Sequence, residues 1–224
     1  LSSALLICSL PDPDIGWLAW IALVPLIVAC HGLPLSHAAS LGLATSVAAS
    51  FGIPLIVGAA QVEKFAKGAA EVSIGRRAFN TAHLFRPSEP LTQPYRKRVL
   101  VPFAEYLPHP DVIPWPEWLA PRVSEMTPGQ SAELFNVTTN LSIGTLICWE
   151  NLFAPLARES VHDGAQILVQ LTNDVWFGHS AAPKQHNLMS VMRAVENRVP
   201  IVIASNTGPS QIIDGYGRVV DTVP

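Results

Sequence analysis

The chain has 224 residues, of which 49% are hydrophobic and only 14% are charged, and its formal net charge is −3. Disordered chains are poor in hydrophobic residues, so this composition indicates a folded protein. The small negative charge and the lack of a large basic cluster argue against nucleic-acid binding. Three widely separated cysteines form no CxxC pair, which argues against a disulfide framework and a thiolate zinc site.

The N-terminal part of the chain is strongly apolar. Asp12 and Asp14 are the two charged residues among residues 1–60, and every Lys and Arg follows residue 60. The uncharged run at residues 17–30 begins with Trp17 and Trp20, and such aromatic side chains favour a bilayer interface. We therefore expect an apolar membrane segment over residues 1–50; a buried core helix is the alternative, and a signal peptide fits less well because no basic region precedes the run.

From residue 53 onward, short β-type runs alternate with helical spacing. Strands are predicted at residues 53–59, 77–85, 141–147, 167–171 and 200–204, with a further apolar strand after the basic cluster at residues 96–98. Helices are predicted at residues 154–162 and 183–197, and a hairpin at residues 212–220. The second helix carries its apolar residues on one face: Leu188, Val191, Met192 and Val195. This alternation indicates an α/β fold with a sheet as its core.

Cys148 lies where an apolar strand gives way to a polar sequence and then to a helix. A side chain at such a turn is held rigidly and presented toward a pocket, which suits a nucleophile. A helix N-terminus just beyond the cysteine is expected to lower the thiol pKa and favour the thiolate. On this feature alone, a small buried hydrophobic side chain is the commoner alternative.

A second pattern joins the basic residues 96–98 to an apolar run and then to a carboxylate between aromatic residues, Phe103-Ala104-Glu105-Tyr106. By itself this pattern is typical of a strand with a solvated, charged end. His179 and His186 have no carboxylate at a ligand spacing, so no metal site is predicted.

Together these segments resemble the nitrilase, or carbon–nitrogen hydrolase, superfamily, and more closely its membrane-bound branch, the apolipoprotein N-acyltransferases. The motifs that carry the resemblance occur in the order of that branch: FGIPLIVGA, FNTAHLF, YRKRVLVPFAEYLP, IGTLICWENLF and LVQLTNDVWFG. The resemblance implies a nitrilase-like α-β-β-α sandwich over residues 51–224, incomplete at both ends and preceded by apolar membrane helices.

The resemblance also implies a Glu-Lys-Cys triad. Cys148 matches the nucleophile, and Lys97 matches the lysine that stabilises the oxyanion and the thiolate. Glu105 matches a second active-site carboxylate that helps to position the lysine. Further residues match the flanks of the nucleophile and a loop expected at the pocket rim: Trp149, Glu150, Asn173 and Trp176.

The general base of the triad has no clear match. In the family this glutamate lies in a Trp-Pro-Glu segment ahead of the strand that matches residues 53–59, and residues 36–50 contain no such segment. Glu117 follows Trp115 and Pro116, but after the lysine motif. We interpret Glu117 as a chance match and leave its role as base open, because geometry rather than chain order decides a catalytic role. Glu63 and Glu71 have no match.

The resemblance implies transfer of an acyl chain from a phospholipid, through a Cys148 thioester, to the N-terminal diacylglyceryl-cysteine of an apolipoprotein. It implies a monomer in the bacterial inner membrane, with the catalytic domain on the periplasmic side, and no cofactor, metal or nucleic acid. Two alternatives stay open. The chain is an inactive fragment without the general base, or it is a soluble nitrilase-type amidase, against which the apolar N-terminus argues.

Overall fold

A computed structural model of the chain describes residues 5–7, 44–46, 48–67, 73–87, 89–116, 125–178 and 180–223. The strands in this part of the chain are β1 (Leu5–Ile7), β2 (Leu55–Lys67), β3 (Ser73–Phe85), β4 (Tyr95–Arg96), β5 (Phe135–Thr138), β6 (Leu141–Ile147), β7 (Ile167–Thr172), β8 (Ile201–Ser205), β9 (Ser210–Ile213) and β10 (Val219–Val223). The helices are α1 (Ala154–His162) and α2 (Ala182–Asn197), with short 3-10 helices at Cys148–Leu152 and Val175–Phe177.

The strands form two sheets. The first is antiparallel, with the order β1-β2-β3-β4, and is built around the long β2–β3 hairpin. The second has the order β10-β9-β8-β7-β6-β5; its central strands β6, β7 and β8 are parallel, and antiparallel strands flank them. Helix α1 connects β6 to β7 and helix α2 connects β7 to β8, as crossovers between parallel strands require. The carboxyl ends of β6 and β7 therefore meet at one edge of the sheet.

Apolar side chains stack the elements in four layers. Along β2, Ile56 faces the second sheet, whereas its neighbours Leu55 and Val57 face the opposite side, as the two-residue period of a strand requires. Residues 44–46 and 48–51 are helical, and Ala44 and Ala48 pack on that outer side. Helices α1 and α2 cover the outer face of the second sheet. The described residues thus stack as helix, sheet, sheet and helix, which is the predicted sandwich.

The N-terminal membrane segment falls mostly on residues 8–43, which lie outside the described residues. Leu5–Ile7, which belong to the same predicted segment, form the edge strand β1 and pair with β2. Within the described part of the chain, no helix combines the length and the apolar character needed to cross a bilayer.

The prediction of an apolar strand after the basic cluster is wrong, because the pairing of β4 with β3 ends at Arg96. The backbone N–H groups of Arg98 and Val99 donate to Glu150 Oε1 at 2.7 and 3.1 Å. Further along, the N–H of Val101 donates to Glu105 Oε2 at 2.8 Å. Since these N–H groups are satisfied by side-chain carboxylates, they are not available to a neighbouring strand.

Helix α2 forms where it is predicted, but its inner face is largely polar. His186, Asn187 and Ser190 are buried, whereas Leu188 and Met192 of the apolar stripe are 58% and 51% exposed. The buried polar side chains find hydrogen-bond partners beneath the helix, which removes most of the cost of burying them. Amphipathic spacing therefore identifies the helix without identifying the face that it buries.

Candidate active site

Cys148 occupies a strained turn directly after β6, at the first residue of the 3-10 helix Cys148–Leu152. Its φ is 54°, in the left-handed region that residues other than glycine rarely adopt. Such a conformation costs about 1–3 kcal/mol and persists only where the surrounding structure imposes it. The predicted strand-to-helix turn at the candidate nucleophile is therefore present, with its backbone strain located at the cysteine itself.

Lys97 and Glu105 form a buried ion pair near this turn. The side chain of Lys97 is 1% exposed, and its ammonium donates to Glu105 Oε2 at 2.8 Å. Two further donors hold the glutamate in place: the N–H of Val101 on Oε2 at 2.8 Å and the amide of Asn80 on Oε1 at 2.9 Å. The lysine is close enough to Cys148 for its charge to act on the thiol. The structure thus brings together three residues that the resemblance assigns to catalysis.

A backbone segment at residues 126–129 supports this pair from behind. The N–H of Met126 donates to the carbonyl of Glu105 at 2.8 Å, and the N–H of Gly129 donates to the carbonyl of Lys97 at 2.8 Å. A Cβ on Gly129 would overlap the backbone carbonyl of Arg96, so only glycine permits this close approach. The segment fixes the backbone at both members of the ion pair.

Burial raises the pKa of the Cys148 thiol above its ordinary value, while the Lys97 ammonium and the Thr172 hydroxyl oppose the rise. The net direction is opposite to the lowering that a helix start predicts. The helix that begins at Cys148 is a 3-10 helix of only five residues, so its dipole is small compared with the cost of desolvating a thiolate. Because burial favours the thiol form, nucleophilic attack by this sulfur needs a group that takes its proton.

Glu150 is fully buried and links the lysine segment to the nucleophile strand. Its Oε2 accepts hydrogen bonds from the N–H of Ile147 and the hydroxyl of Tyr95, both at 2.8 Å. Its Oε1 accepts from the N–H groups of Arg98 and Val99. Burial raises the pKa of Glu150 above its ordinary value, and these donors oppose the rise. Glu150 therefore positions the backbone on both sides of the site, with its oxygens occupied by protein donors.

Trp149 supports the same junction. Its indole N–H donates to the carbonyl of Val99 at 2.7 Å, and its ring packs edge-on against Phe153, with 5.3 Å between ring centroids. Both residues that flank Cys148 in the predicted set thus bind the segment that carries Lys97. Trp149 and Glu150 therefore join the segment of the nucleophile to the segment of the lysine.

The two rim residues lie beyond the carboxyl end of β7. Asn173 Oδ1 accepts a hydrogen bond from the amide of Asn206 at 2.8 Å, so this side chain braces two loops. Trp176 is 82% exposed within the 3-10 helix Val175–Phe177. On the lysine side, Phe103 is 49% exposed and packs edge-on against Trp115. Exposed aromatic side chains therefore lie on both loops that extend from the site residues.

The structure describes only some of the glutamates considered as the general base. Glu117 and Glu71 lie outside the described residues, as does His179, which is considered only as a metal ligand. Glu63 forms an ion pair with Arg96. Asn80 donates to Glu105, and Thr172 and Asp174 influence the pKa of the Cys148 thiol; all three residues are absent from the set predicted from sequence. The signal that could have found the last two is their place at the end of a strand parallel to the one that carries Cys148.

Comparison with known proteins identifies a family and several relatives of this chain. The family model "Carbon-nitrogen hydrolase" matches residues 33–224. An apolipoprotein N-acyltransferase from Geobacter metallireducens is 41% identical over 145 residues, which cover 65% of this chain and 28% of that protein. An apolipoprotein N-acyltransferase from Thermotoga maritima is 38% identical over 130 residues, covering 58% of this chain and 26% of that protein. The chain thus matches little more than a quarter of the length of these relatives.

Solved structures support the fold. Nit3 of Saccharomyces cerevisiae, a member of branch 10 of the nitrilase superfamily, superposes with a TM-score of 0.56 at 20% identity, covering 82% of this chain and 60% of that one. An amidase of the nitrilase superfamily from Nesterenkonia AN1 gives a TM-score of 0.54 at 17% identity, with coverages of 83% and 63%. The family match, the sandwich of two sheets and the cysteine–lysine–glutamate arrangement lead to one assignment: the chain belongs to the carbon–nitrogen hydrolase family.

Proposed function

We propose that the protein transfers an acyl chain from a phospholipid, through a thioester on Cys148, to the N-terminal diacylglyceryl-cysteine of an apolipoprotein. The observation that carries this proposal is the buried ion pair of Lys97 and Glu105, 2.8 Å apart, close to the thiol of Cys148. The names of the bacterial relatives, apolipoprotein N-acyltransferases, support an acylation of lipoproteins.

In the first half-reaction the sulfur of Cys148 attacks the ester carbonyl of the phospholipid. A C–S bond forms, the ester C–O bond breaks, and the lysophospholipid leaves with a proton on its new hydroxyl. Negative charge develops on the carbonyl oxygen before that bond breaks. The compact ammonium of Lys97 is suited to stabilise charge at a single atom, and its ion pair with Glu105 holds it in place.

In the second half-reaction the α-amino group of the acceptor attacks the thioester. An amide bond forms, the C–S bond breaks, and Cys148 regains the proton that the amine loses. Covalent catalysis of this kind divides one difficult transfer into two easier ones. The lysine remains in place for both tetrahedral intermediates, since its carboxylate partner is fixed by Val101 and Asn80.

The exposed apolar side chains support a lipid substrate. Phe103, Val112 and Trp176 are 49%, 80% and 82% exposed, on the loops that extend from the lysine side and from β7. Burying such surface against acyl chains contributes roughly 25 cal/mol per Å². We place the protein in the bacterial inner membrane as a monomer, with its site on the periplasmic side and residues 8–35 as an anchor. Recovery of monomeric protein in a high-salt wash without detergent would contradict this placement.

The decisive experiment follows the acyl chain. The purified chain in detergent is incubated with phospholipid, and the mass of the Cys148 peptide is measured beside acylation of a diacylated lipopeptide. We expect an acyl mass shift on Cys148, its loss in Lys97→Met, and its retention in Lys184→Met, which alters an exposed lysine of α2. Absence of any acyl adduct on Cys148 in the parent protein would overturn the proposal.

The same experiment separates the alternatives. A thioester that forms without turnover of the acceptor would indicate an inactive fragment that lacks its base. Hydrolysis of a small amide without acyl transfer would indicate an amidase. If acceptor turnover is full, Glu117→Gln tests whether Glu117 supplies the base. Loss of turnover would assign that role to it, and persistence would direct the search to Glu63, Glu71 and Glu105.

A further inference from the structure

The backbone carbonyl of Cys148 is held by a side chain from the neighbouring strand. Strands β6 and β7 pair in parallel, with Leu146 opposite Gln170. The amide of Gln170 donates from Nε2 to the carbonyl of Cys148 at 3.4 Å. Gln170 is fully buried, as are Asn151 and Ser190, with which it forms one polar cluster beneath helix α2. The candidate nucleophile is therefore contacted on its backbone by a group that the proposed chemistry does not use.

A chain of hydrogen bonds determines which end of the Gln170 amide faces Cys148. The amide of Asn151 donates to the carbonyl of His186 at 2.9 Å and to the hydroxyl of Ser190 at 3.0 Å. A carbonyl only accepts, so the group that Asn151 turns toward it is the NH2. The hydroxyl of Ser190 in turn donates its single proton to Oε1 of Gln170. The NH2 group of Gln170 is therefore the end that faces Cys148.

The conformation of Cys148 depends on the two peptide planes that meet at its Cα. The plane before Cys148 belongs to β6, whose pairing with β7 continues to Ile147. The plane after it contains the carbonyl that accepts from Gln170. Because each peptide unit is planar, holding the planes on both sides of a Cα restricts φ and ψ of that residue. A hydrogen bond to this carbonyl therefore acts on the left-handed φ of 54° and on the direction in which the side chain leaves the backbone.

We propose that Gln170 is a positioning residue for the nucleophile: its amide, oriented by Ser190, holds the carbonyl of Cys148 and thereby keeps the sulfur beside the ammonium of Lys97. This inference rests on the proposed function, since it takes Cys148 as the nucleophile. Gln170 neither forms a covalent bond nor exchanges a proton in this role. It restricts the turn from which the sulfur reacts.

Helix α2 holds the other end of the same turn. The guanidinium of Arg193 donates to the carbonyls of Asn151 and Leu152 at 3.3 and 3.2 Å. These are the last two residues of the 3-10 helix that begins at Cys148, and carbonyls at a helix end have no partner within the helix. The segment that follows the nucleophile is thus fixed at its far end by Arg193, so the contact from Gln170 acts at the near end of an anchored segment.

The test measures how strongly Lys97 acts on Cys148 with and without the Gln170 amide. Iodoacetamide alkylation of Cys148 is followed at pH 8 by peptide mass spectrometry, on the full chain in detergent. In the parent, Lys97→Met should slow alkylation about tenfold. In Gln170→Met, which keeps the length of the side chain but has no donor for the carbonyl, the same lysine substitution should slow it less than about threefold.

A tenfold effect of Lys97→Met in the Gln170→Met background would overturn the proposal, as would the absence of an effect in the parent. Gln166→Met is the matched control, because this glutamine directly precedes β7 and is exposed; the tenfold effect should persist in it. A residue that contributed only to stability would lower Tm and leave the ratio of rates unchanged in the folded protein.

Circular dichroism at the assay temperature verifies that each variant is folded, because an unfolded chain would also lose the effect of Lys97. Should Gln170→Met not fold, Ser190→Ala decides the outcome. This variant removes the hydroxyl that orients the Gln170 amide, so the effect of Lys97→Met should again fall below about threefold. A tenfold effect in Ser190→Ala would then overturn the proposal.

Alkylation needs neither phospholipid nor acceptor, so its result is separate from that of the acyl-transfer experiment. If the parent forms no thioester, the proposed function fails while the alkylation rates still decide the role of Gln170. If the thioester forms, Gln170→Met should slow its formation by about tenfold or more at saturating phospholipid. The half-saturating lipid concentration should stay unchanged, because Gln170 is buried beneath α2.

Discussion

Replacing Glu150 by glutamine changes one atom at the centre of the site and should destabilise the whole chain. Each carboxylate oxygen of Glu150 accepts two hydrogen bonds: Oε1 from the N–H groups of Arg98 and Val99, and Oε2 from the N–H of Ile147 and the hydroxyl of Tyr95. A glutamine amide has one oxygen and one NH2 group. Turned one way, the NH2 group faces the N–H groups of Arg98 and Val99; turned the other way, it faces the N–H of Ile147 and the hydroxyl of Tyr95, which can rotate to accept. At least one buried N–H donor therefore loses its acceptor.

The magnitude follows from the buried donors that lose their acceptor. An unsatisfied buried donor costs about 1–3 kcal/mol, so one or two of them cost about 1–6 kcal/mol. Part of this is recovered, because burial disfavours the charge of Glu150 and raises its pKa. We therefore expect Glu150→Gln to lower the free energy of unfolding by about 2–4 kcal/mol. For a chain of this size, that corresponds to a fall in Tm of about 5–15 °C.

The assay is thermal unfolding in detergent at neutral pH, followed by circular dichroism. Glu159→Gln is the matched control: this glutamate also pairs with Arg98, through its side chain, but is 48% exposed, so its loss should cost less than about 1 kcal/mol. A Tm for Glu150→Gln within about 2 °C of the parent would refute the reasoning, because it would show that the four hydrogen bonds contribute little to stability.

Three further variants test other parts of the site. Lys97→Met should raise the pKa of Cys148, because the ammonium that opposes the effect of burial is lost. Alkylation of Cys148 by iodoacetamide near pH 8 should then slow by about tenfold. An unchanged rate would contradict the placement of Lys97 beside the thiol. Gly129→Ala should lower the free energy of unfolding in urea by about 1–3 kcal/mol, because its Cβ would overlap a backbone carbonyl. In the control Gly58→Ala, the Cβ would lie 3.6 Å from its nearest neighbour, so this free energy should change little. The pKa of Asp174 is depressed in the folded state. Its carboxylate therefore contributes fully to stability above the pKa of the unfolded state, and this contribution is lost as the pH falls through the folded-state pKa. Below about pH 4, the Tm of Asp174→Asn should decline less steeply than that of the parent, and equal slopes would argue against a buried, ionised Asp174.

Local sequence patterns are sufficient for most of the second sheet. Strand β6 and helix α1 have the predicted bounds of residues 141–147 and 154–162, and the hairpin of β9 and β10 closes at the predicted turn. These elements are encoded by side-chain periods and turn residues that lie next to one another in the chain. The placement of Cys148 at the end of a strand follows from the same local pattern.

The partners of the site residues could not be obtained in this way. The sequence pattern predicts that residues 98 and 99 belong to an apolar strand. Their N–H groups instead donate to the carboxylate of Glu150, about 50 positions later in the chain. The motifs suggest that Lys97 and Glu105 belong together, yet nothing in them indicates the amide of Asn80 that fixes the glutamate. Thr172 and Asp174 influence the pKa of the thiol because β7 lies beside β6.

The sequence by itself determined the α/β class, the order of most elements and the residue at the strained turn, because each of these depends on neighbours in the chain. Only the tertiary structure decided that α2 buries His186 and Ser190 while Leu188 stays exposed, and that the pKa of Cys148 is raised rather than lowered. Burial and electrostatic partners are set by groups from distant segments, and the cost of removing a thiolate from water depends on how those segments pack around it.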